Sequence, residues 1–319
     1  MSDAIHVAGV SKAFGDLRAV DDIEFKVPVG SLCGFLGPNG AGKSTTIRMI
    51  MSIIYPDSGS ITVLGGSALD RKDAIGYLPE ERGVYRKMPV AGFISYIARL
   101  KGVSSRGLAS RIDEWLERME LPGVRKKKCQ ELSKGMQQKV QFIASVIHEP
   151  ELIILDEPFS GLDPVNAMLL GRTIREMNEA GRTIIFSTHV LHQAEQLCDR
   201  VLMINKGRIV LDDQLDTIRR RHDPRTLLVR TSGNPNDFKR HAEAIEGIRS
   251  IREGESRELL EISLDDQCDL GGGIPSRLVT ELNAAGPMRS IEIRMPSLDD
   301  VFVELVGTSV ERVEEEAMP

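Results

Sequence analysis

Two hydrophobic rhythms alternate along the chain. Short continuous apolar runs, Ser31–Leu36, Leu152–Leu155 and Thr183–Phe186, have the pattern of strands buried on both faces, as in a parallel sheet. Between them, apolar positions recur at helical spacing: after Thr46, then Phe93, Ile94, Ile97 and Leu100, then Ile112, Trp115, Leu116 and Met119, then Val140, Ile143, Ala144 and Ile147. Near the start, Ile5–Val7 and Ile23–Val27 alternate and are closed by Pro28 and Gly30, which predicts a small antiparallel sheet with Phe14 on a loop before the Gly15-Asp16 turn. Ser60–Gly65 and Ile75–Glu81 predict two further strands, and Val201–Ile204 with Gly207–Val210 a hairpin closing a domain near residue 220. The helical stretch at about 85–150 predicts a subdomain with an outward face. The polar Arg219–Pro224 stretch is a predicted linker, dividing the chain into 1–222 and 223–319. The second part carries strand, helix, strand, strand, helix, strand in under a hundred residues, an α+β order that predicts a ferredoxin-like domain.

The chemistry concentrates where these rhythms change. Gly37-Pro38-Asn39-Gly40-Ala41-Gly42-Lys43-Ser44-Thr45 joins an apolar strand to a helix in the spacing G-x-x-x-x-G-K-[ST]. Backbone N–H groups must close around phosphate oxygens there, and glycine permits that approach. The helix N-terminus faces the same anion, Lys43 adds charge near the β- and γ-phosphates, and Ser44 offers a hydroxyl to Mg²⁺. Asp156 and Glu157 end the Leu152–Leu155 run, at the strand end where open α/β sheets hold ligands. Asp156 is placed to approach Mg²⁺, and Glu157 to take a proton from an attacking water. His189 ends the next buried run, within reach of a γ-phosphate. Ser133 is an N-cap before a helix with Gly135 in its first turn, a capped helix that is also a second anion site. Phe14 fits a base-stacking aromatic and a core phenylalanine equally well.

Composition changes this picture little. The 319 residues are 28% charged and 41% hydrophobic, an ordinary globular balance, and the net charge of −6 gives no general reason to expect nucleic acid as partner. Met1–His6 lacks the basic start and apolar core of a secretory leader, and no apolar run approaches a membrane span. Cys33, Cys129, Cys198 and Cys268 show no metal-ligand spacing, and each is expected to be a buried small hydrophobe in a reducing compartment. Arg125–Lys128 is expected to be a solvated loop.

In their order, these motifs resemble the ATP-binding subunit of an ABC transporter. Gly37–Thr45 is similar to its Walker A, Leu132-Ser133-Lys134-Gly135-Met136 to its signature, Leu152–Glu157 to its Walker B, Ser160–Asp163 to its D-loop and His189 to its H-loop. The likeness covers about residues 4–220. The stretch 296–307 is similar to the end of an accessory domain on sodium- and drug-export ATPases. The resemblance implies a P-loop α/β cassette with a mostly parallel core, an antiparallel β subdomain and a helical subdomain. It implies that Phe14 stacks on adenine, that Lys43 and the amides of 39–45 hold phosphate, and that Ser44 and Asp156 hold Mg²⁺. Glu157 becomes the general base and His189 the γ-phosphate sensor. Ser133 and Gly135 would bind ATP held by an opposite protomer, with Asp163 reporting across that head-to-tail interface, whether homodimer or heterodimer. A membrane-embedded permease on a separate chain and a place on the inner face of the cell membrane follow. The substrate, the permease and the role of the second domain are not legible.

Two positions depart from the pattern. Glu80 stands at the Q-loop position, usually Gln, where it can meet Mg²⁺ through an oxygen but would repel a γ-phosphate without the metal. Lys134 and Met136 stand where Gly and Gln are common. Two rival readings compete with the transport ATPase. A soluble ABC-type ATPase on nucleic acid or ribosomes is disfavoured by one Walker A and no long heptad run; a dimerisation switch without turnover is disfavoured by Asp156 and Glu157 together.

Overall fold

The computed structural model describes residues 2–81, 83–221, 225–254, 256, 258–265, 268, 270 and 273–305. They fall in two compact units, Met1–Leu215 and Asp216–Pro319. The expected linker residues 222–224 and the acidic tail Glu314–Glu316 lie outside the described residues.

In the first unit, β1 (Asp3–Phe14) and β2 (Leu17–Pro28) pair antiparallel, and β4 (Ser58–Val63) flanks β1 on its other side. Both long strands run 12 residues, through positions where alternation is irregular, because register shifts between Val7 and Ala13 absorb the breaks in pattern. Phe14 is consequently the last residue of β1 rather than a loop residue.

The apolar runs are the middle of a six-stranded sheet. β3 (Leu32–Leu36), β5 (Ile75–Leu78), β6 (Leu152–Asp156), β7 (Thr183–Thr188), β8 (Arg200–Asn205) and β9 (Arg208–Gln214) take the order β5-β6-β7-β3-β8-β9. All neighbours are parallel except β9 on β8. Every residue of β3, β6 and β7 is buried, which is why these strands carry no alternation. Register fixes the site: Leu36 lies opposite Thr188, and Asp156 opposite Ser187, so the carboxyl ends of three strands finish level.

Helix α1 (Lys43–Ile50) follows β3 directly. The helical stretch resolves into α2 (Val90–Leu100), α3 (Leu108–Arg118) and α4 (Lys134–Val146). Its connecting basic run is a turn whose Lys127 and Arg125 carbonyls accept from the Val90 and Ala91 backbone N–H groups at the start of α2, with Lys126, Lys127 and Lys128 exposed. Beyond β6 come α5 (Pro164–Glu179), with Pro164 at its first position, and α6 (Leu191–Leu197). Arg219–Arg221, expected in a linker, end α7 (Leu215–Arg221), where three cations suit a helix C-terminus.

In the second unit, β10 (Thr226–Thr231), α8 (Pro235–Ala242), β11 (Ile248–Glu253), β12 (Leu259–Leu264), α9 (Ser276–Ala285) and β13 (Met288–Ile293) make a wholly antiparallel sheet of order β11-β12-β10-β13. The two helices pack on one face over Leu227, Val229, Leu260 and Ile262, which is the ferredoxin-like arrangement. Cys33, Cys129 and Cys198 are buried as expected; Cys268 is only half-buried.

His148, just past α4, gives the first unit a pH dependence. Burial, with Lys101 nearby, pushes its pKa down to about 4, against the opposing pull of the Ile75 carbonyl (3.1 Å from Nε2) and Asp73. Between about pH 4 and the unfolded value near 6.5 the unfolded chain binds a proton that the folded chain refuses, so stability falls as pH falls through that window. With the ring only partly buried, we expect a loss of about 1–2 kcal/mol between pH 7 and pH 4.5. Urea unfolding of the native chain and His148→Gln at both pH values reads it: the native chain loses more than the variant, and equal losses would show that the ring contributes nothing.

Candidate nucleotide site

The cradle begins with two glycines whose neighbours leave no room for a side chain. A Cβ on Gly37 (φ 155°) would meet the Ile204 carbonyl oxygen at 2.2 Å, and one on Gly42 (φ 112°) the Ala19 carbonyl oxygen at 2.6 Å. Strands β8 and β2 thus press the loop into shape from two sides. Gly42 precedes α1, and no side chain caps the helix. The amides of Lys43, Ser44 and Thr45 stand in its first turn, where a helix has no carbonyls to offer them. Such an end can receive an anion.

A cleft of about 350 Å³ opens there, lined by Phe14, Asn39, Gly40, Gly42, Lys43, Ser44 and Thr45 on one side and by Glu80 and Glu157 on the other. Phe14 is 51% exposed at this cleft, which removes the core alternative for it, and Lys12 Nζ sits 5.6 Å from its ring centre. Lys43 is buried, its ammonium donating to the carbonyls of Gly37 (2.7 Å) and Pro38 (3.2 Å), with Glu157 Oε1 at 3.8 Å. Burial lowers its pKa while Glu157, Asp156 and Glu80 pull it back up. Ala41 is buried beneath the loop and its carbonyl accepts from Gly207.

Three oxygens converge beside the cradle. Ser44 Oγ lies 3.4 Å from Asp156 Oδ1 and 3.5 Å from Glu80 Oε2. Burial raises the pKa of Asp156, hydrogen bonds from Ser187 and Ser44 lower it, and the charges of Glu80 and Glu157 raise it further. A hard cation among these oxygens would relieve that unfavourable charge, and one hydroxyl with one or two carboxylates is the protein share that Mg²⁺ takes when phosphates complete its shell. The residues present therefore fit that ion.

Behind them stands Glu157, buried and in the left-handed region (φ 50°), a conformation that costs a non-glycine residue about 1 kcal/mol or more. Ser187 holds it there, accepting the Glu157 N–H at 3.0 Å while donating its own proton to Asp156 Oδ1 at 2.5 Å. One β7 hydroxyl thus fixes the Glu157 backbone and the Asp156 carboxylate together. His189 Nδ1 lies 3.0 Å from Glu157 Oε1. A carboxylate only accepts, so Nδ1 carries the proton and Nε2 is left for another partner. Ser187 was missed in the sequence, where it is one polar residue inside an apolar run; its role comes from the register with β6.

Ser133, Gly135 and Asp163 do not line this cleft. They form a second cluster. Ser133 Oγ caps α4 by accepting from Met136 N at 3.3 Å, and Gly135 faces the turn at Gly161-Leu162, where a Cβ would sit 3.4 Å from Leu162 Cδ2. Asp163 caps α5, accepting from the Asn166 backbone N–H (3.0 Å) and side-chain Nδ2 (2.5 Å), which holds its carboxyl below the usual range. Lys139 in α4 donates to Asn166 at 2.7 Å and joins the two helices.

The family model described as ABC transporter matches residues 20–160, and the one described as ATP-binding protein DrrA1-3-like, C-terminal domain, matches 214–306. An uncharacterized ABC transporter ATP-binding protein of Bacillus subtilis is 40% identical across 95% of this chain and 98% of its own length. A Nod factor export ATP-binding protein I of a Rhizobium species is 34% identical across 97% and 99%. A solved ATP-binding subunit of an ABC transporter superposes with a TM-score of 0.64 at 32% identity, covering 68% of this chain and 92% of that one.

Proposed function

The chain belongs to the ATP-binding proteins of ABC transporters, ATPases that couple turnover to transport, and we propose that it drives an exporter by closing two nucleotides between two copies of itself. The observation that supports this best is the convergence of Lys43, Glu157 and His189 with Ser44, Asp156 and Glu80 at one end of the cleft.

In that reading Phe14 stacks on the base, and the amides of 39–45 with the Lys43 ammonium hold the β- and γ-phosphates. Ser44 and Asp156, with Glu80 beside them, hold Mg²⁺, which neutralises phosphate charge when bound. Glu157 takes the proton of a water aligned with the γ-phosphate; the hydrogen bond from His189 Nδ1 orients the carboxylate and turns Nε2 toward the phosphate. The second cluster binds the nucleotide of the opposite copy through Ser133 and Gly135, with Asp163 at the junction. A permease on a separate chain turns that closure into movement of a solute. No helix among the described residues is long and apolar enough to cross a membrane.

Glu80 tests the metal side of this reading. A glutamine there keeps an oxygen for the ion and removes a charge facing the γ-phosphate, so Glu80→Gln retains ATP binding and hydrolysis, within about fivefold. Phosphate release and ATP titration measure it. Complete loss of either would show that the carboxylate has a specific task beyond meeting the metal.

A further inference from the structure

We infer that Gln141 is a positioning residue that sets Glu80 against the metal–nucleotide complex by tying the loop after β5 to α4; the inference rests on the reading of Glu80 given above. Gln141 lies in the middle of α4 among Val140, Phe142 and Ile143, and is itself only 5% exposed. Its Nε2 donates to the backbone carbonyl of Glu81 at 3.2 Å. Its Oε1 is buried and has no hydrogen-bond donor among the described residues. An unmet buried acceptor destabilises a fold, and a leucine of similar size at this position would avoid it. The amide therefore serves the loop rather than the core.

The loop needs such a tie. β5 ends at Leu78, and among the described residues Pro79–Val84 make no backbone–backbone hydrogen bond. Glu80 itself is exposed, with Ser44 Oγ 3.5 Å from its carboxylate. The Gln141 amide thus fixes the backbone one residue beyond the carboxylate that faces the metal position. It does so from the same helix whose N-cap is Ser133, eight residues earlier and about 12 Å away along the axis.

The test compares Gln141→Leu, Glu80→Ala and the double variant in the full-length chain, by thermal unfolding, by amide hydrogen exchange of residues 79–84, and by ATP binding with Mg²⁺ and with EDTA. Gln141→Leu is expected to unfold at the native temperature or above, to exchange faster in the loop, and to bind ATP normally in EDTA. With Mg²⁺ its affinity falls roughly 3- to 10-fold, the scale of one lost hydrogen bond. Added to Glu80→Ala it costs nothing more, because it acts through Glu80. A lower unfolding temperature with equal losses in Mg²⁺ and EDTA would reduce Gln141 to a packing residue and overturn the inference. Losses that multiply in the double variant would overturn it as well. If Glu80→Ala weakens Mg²⁺-ATP binding and Gln141→Leu does not, the inference alone fails; if Glu80→Ala leaves that binding unchanged, the metal reading of Glu80 fails and takes the inference with it.

Discussion

Replacing Glu157 by glutamine lowers ATP turnover by about 10²- to 10⁴-fold and leaves ATP affinity within a few-fold of native. The substitution is nearly isosteric, so the buried side chain keeps its packing, and the left-handed backbone at φ 50° is as accessible to Gln as to Glu. The Ser187 hydroxyl still accepts the backbone N–H, and an amide oxygen still accepts from His189 Nδ1. What vanishes is the group able to take a proton from water. The neighbouring carboxylate, Asp156, is already hydrogen-bonded by Ser187 and Ser44. Phosphate release at saturating ATP measures the first effect and calorimetric titration the second. Turnover within tenfold of native would assign the proton to another residue.

Lys43→Ala attacks binding instead. Its buried ammonium stands beside three carboxylates, Glu157, Asp156 and Glu80, whose charges oppose the lowering of its pKa by burial. It bonds to the carbonyls of Gly37 and Pro38, which holds it within the Gly37–Thr45 loop. Removing it leaves a negatively charged pocket facing a triphosphate and loses charge-assisted hydrogen bonds worth about 1.5–3 kcal/mol each. ATP affinity falls by about 10²-fold or more, with turnover lost in proportion. The same titration reads this, and an affinity within threefold of native would mean that the loop amides alone carry the phosphates.

The layered organisation of the first unit was legible because its buried strands have an unambiguous signature: Leu152–Leu155 and Thr183–Phe186 have no polar face to confuse with a helix or a surface strand. The second unit was legible from element order, which reproduces the antiparallel β11-β12-β10-β13 sheet. Boundaries were less so. β1 and β2 extend through residues that do not alternate, since register shifts let a strand continue where the pattern stops. Arg219–Arg221 look like linker by polarity, yet polarity is also what an exposed helix end carries.

Chemistry was legible where spacing along the chain is itself the motif, as in Gly37–Thr45. It was not legible where two strands supply one group. Ser187 acts because Asp156 lies opposite it in the sheet, a relation that exists only in register. Gln141 is equally hidden: along the chain it is one more residue of an amphipathic helix, and only the packing of α4 beside the loop after β5 shows what its amide holds. Ser133 and Gly135 form a cluster with the Gly161–Asp163 turn and do not line the cleft that holds Lys43; in the proposed reading a second copy brings that cluster to the cleft.

That division makes sedimentation of the Glu157→Gln chain with Mg²⁺ and ATP the most direct test of the account. With turnover blocked and both nucleotide surfaces intact, ATP should shift the chain from monomer to a stable dimer, ADP should not, and adding Ser133→Arg should return it to monomer by obstructing the second surface. A Glu157→Gln chain that binds ATP and sediments as a monomer would contradict the two-copy site, and the partner of Ser133 and Gly135 would then have to be a different subunit.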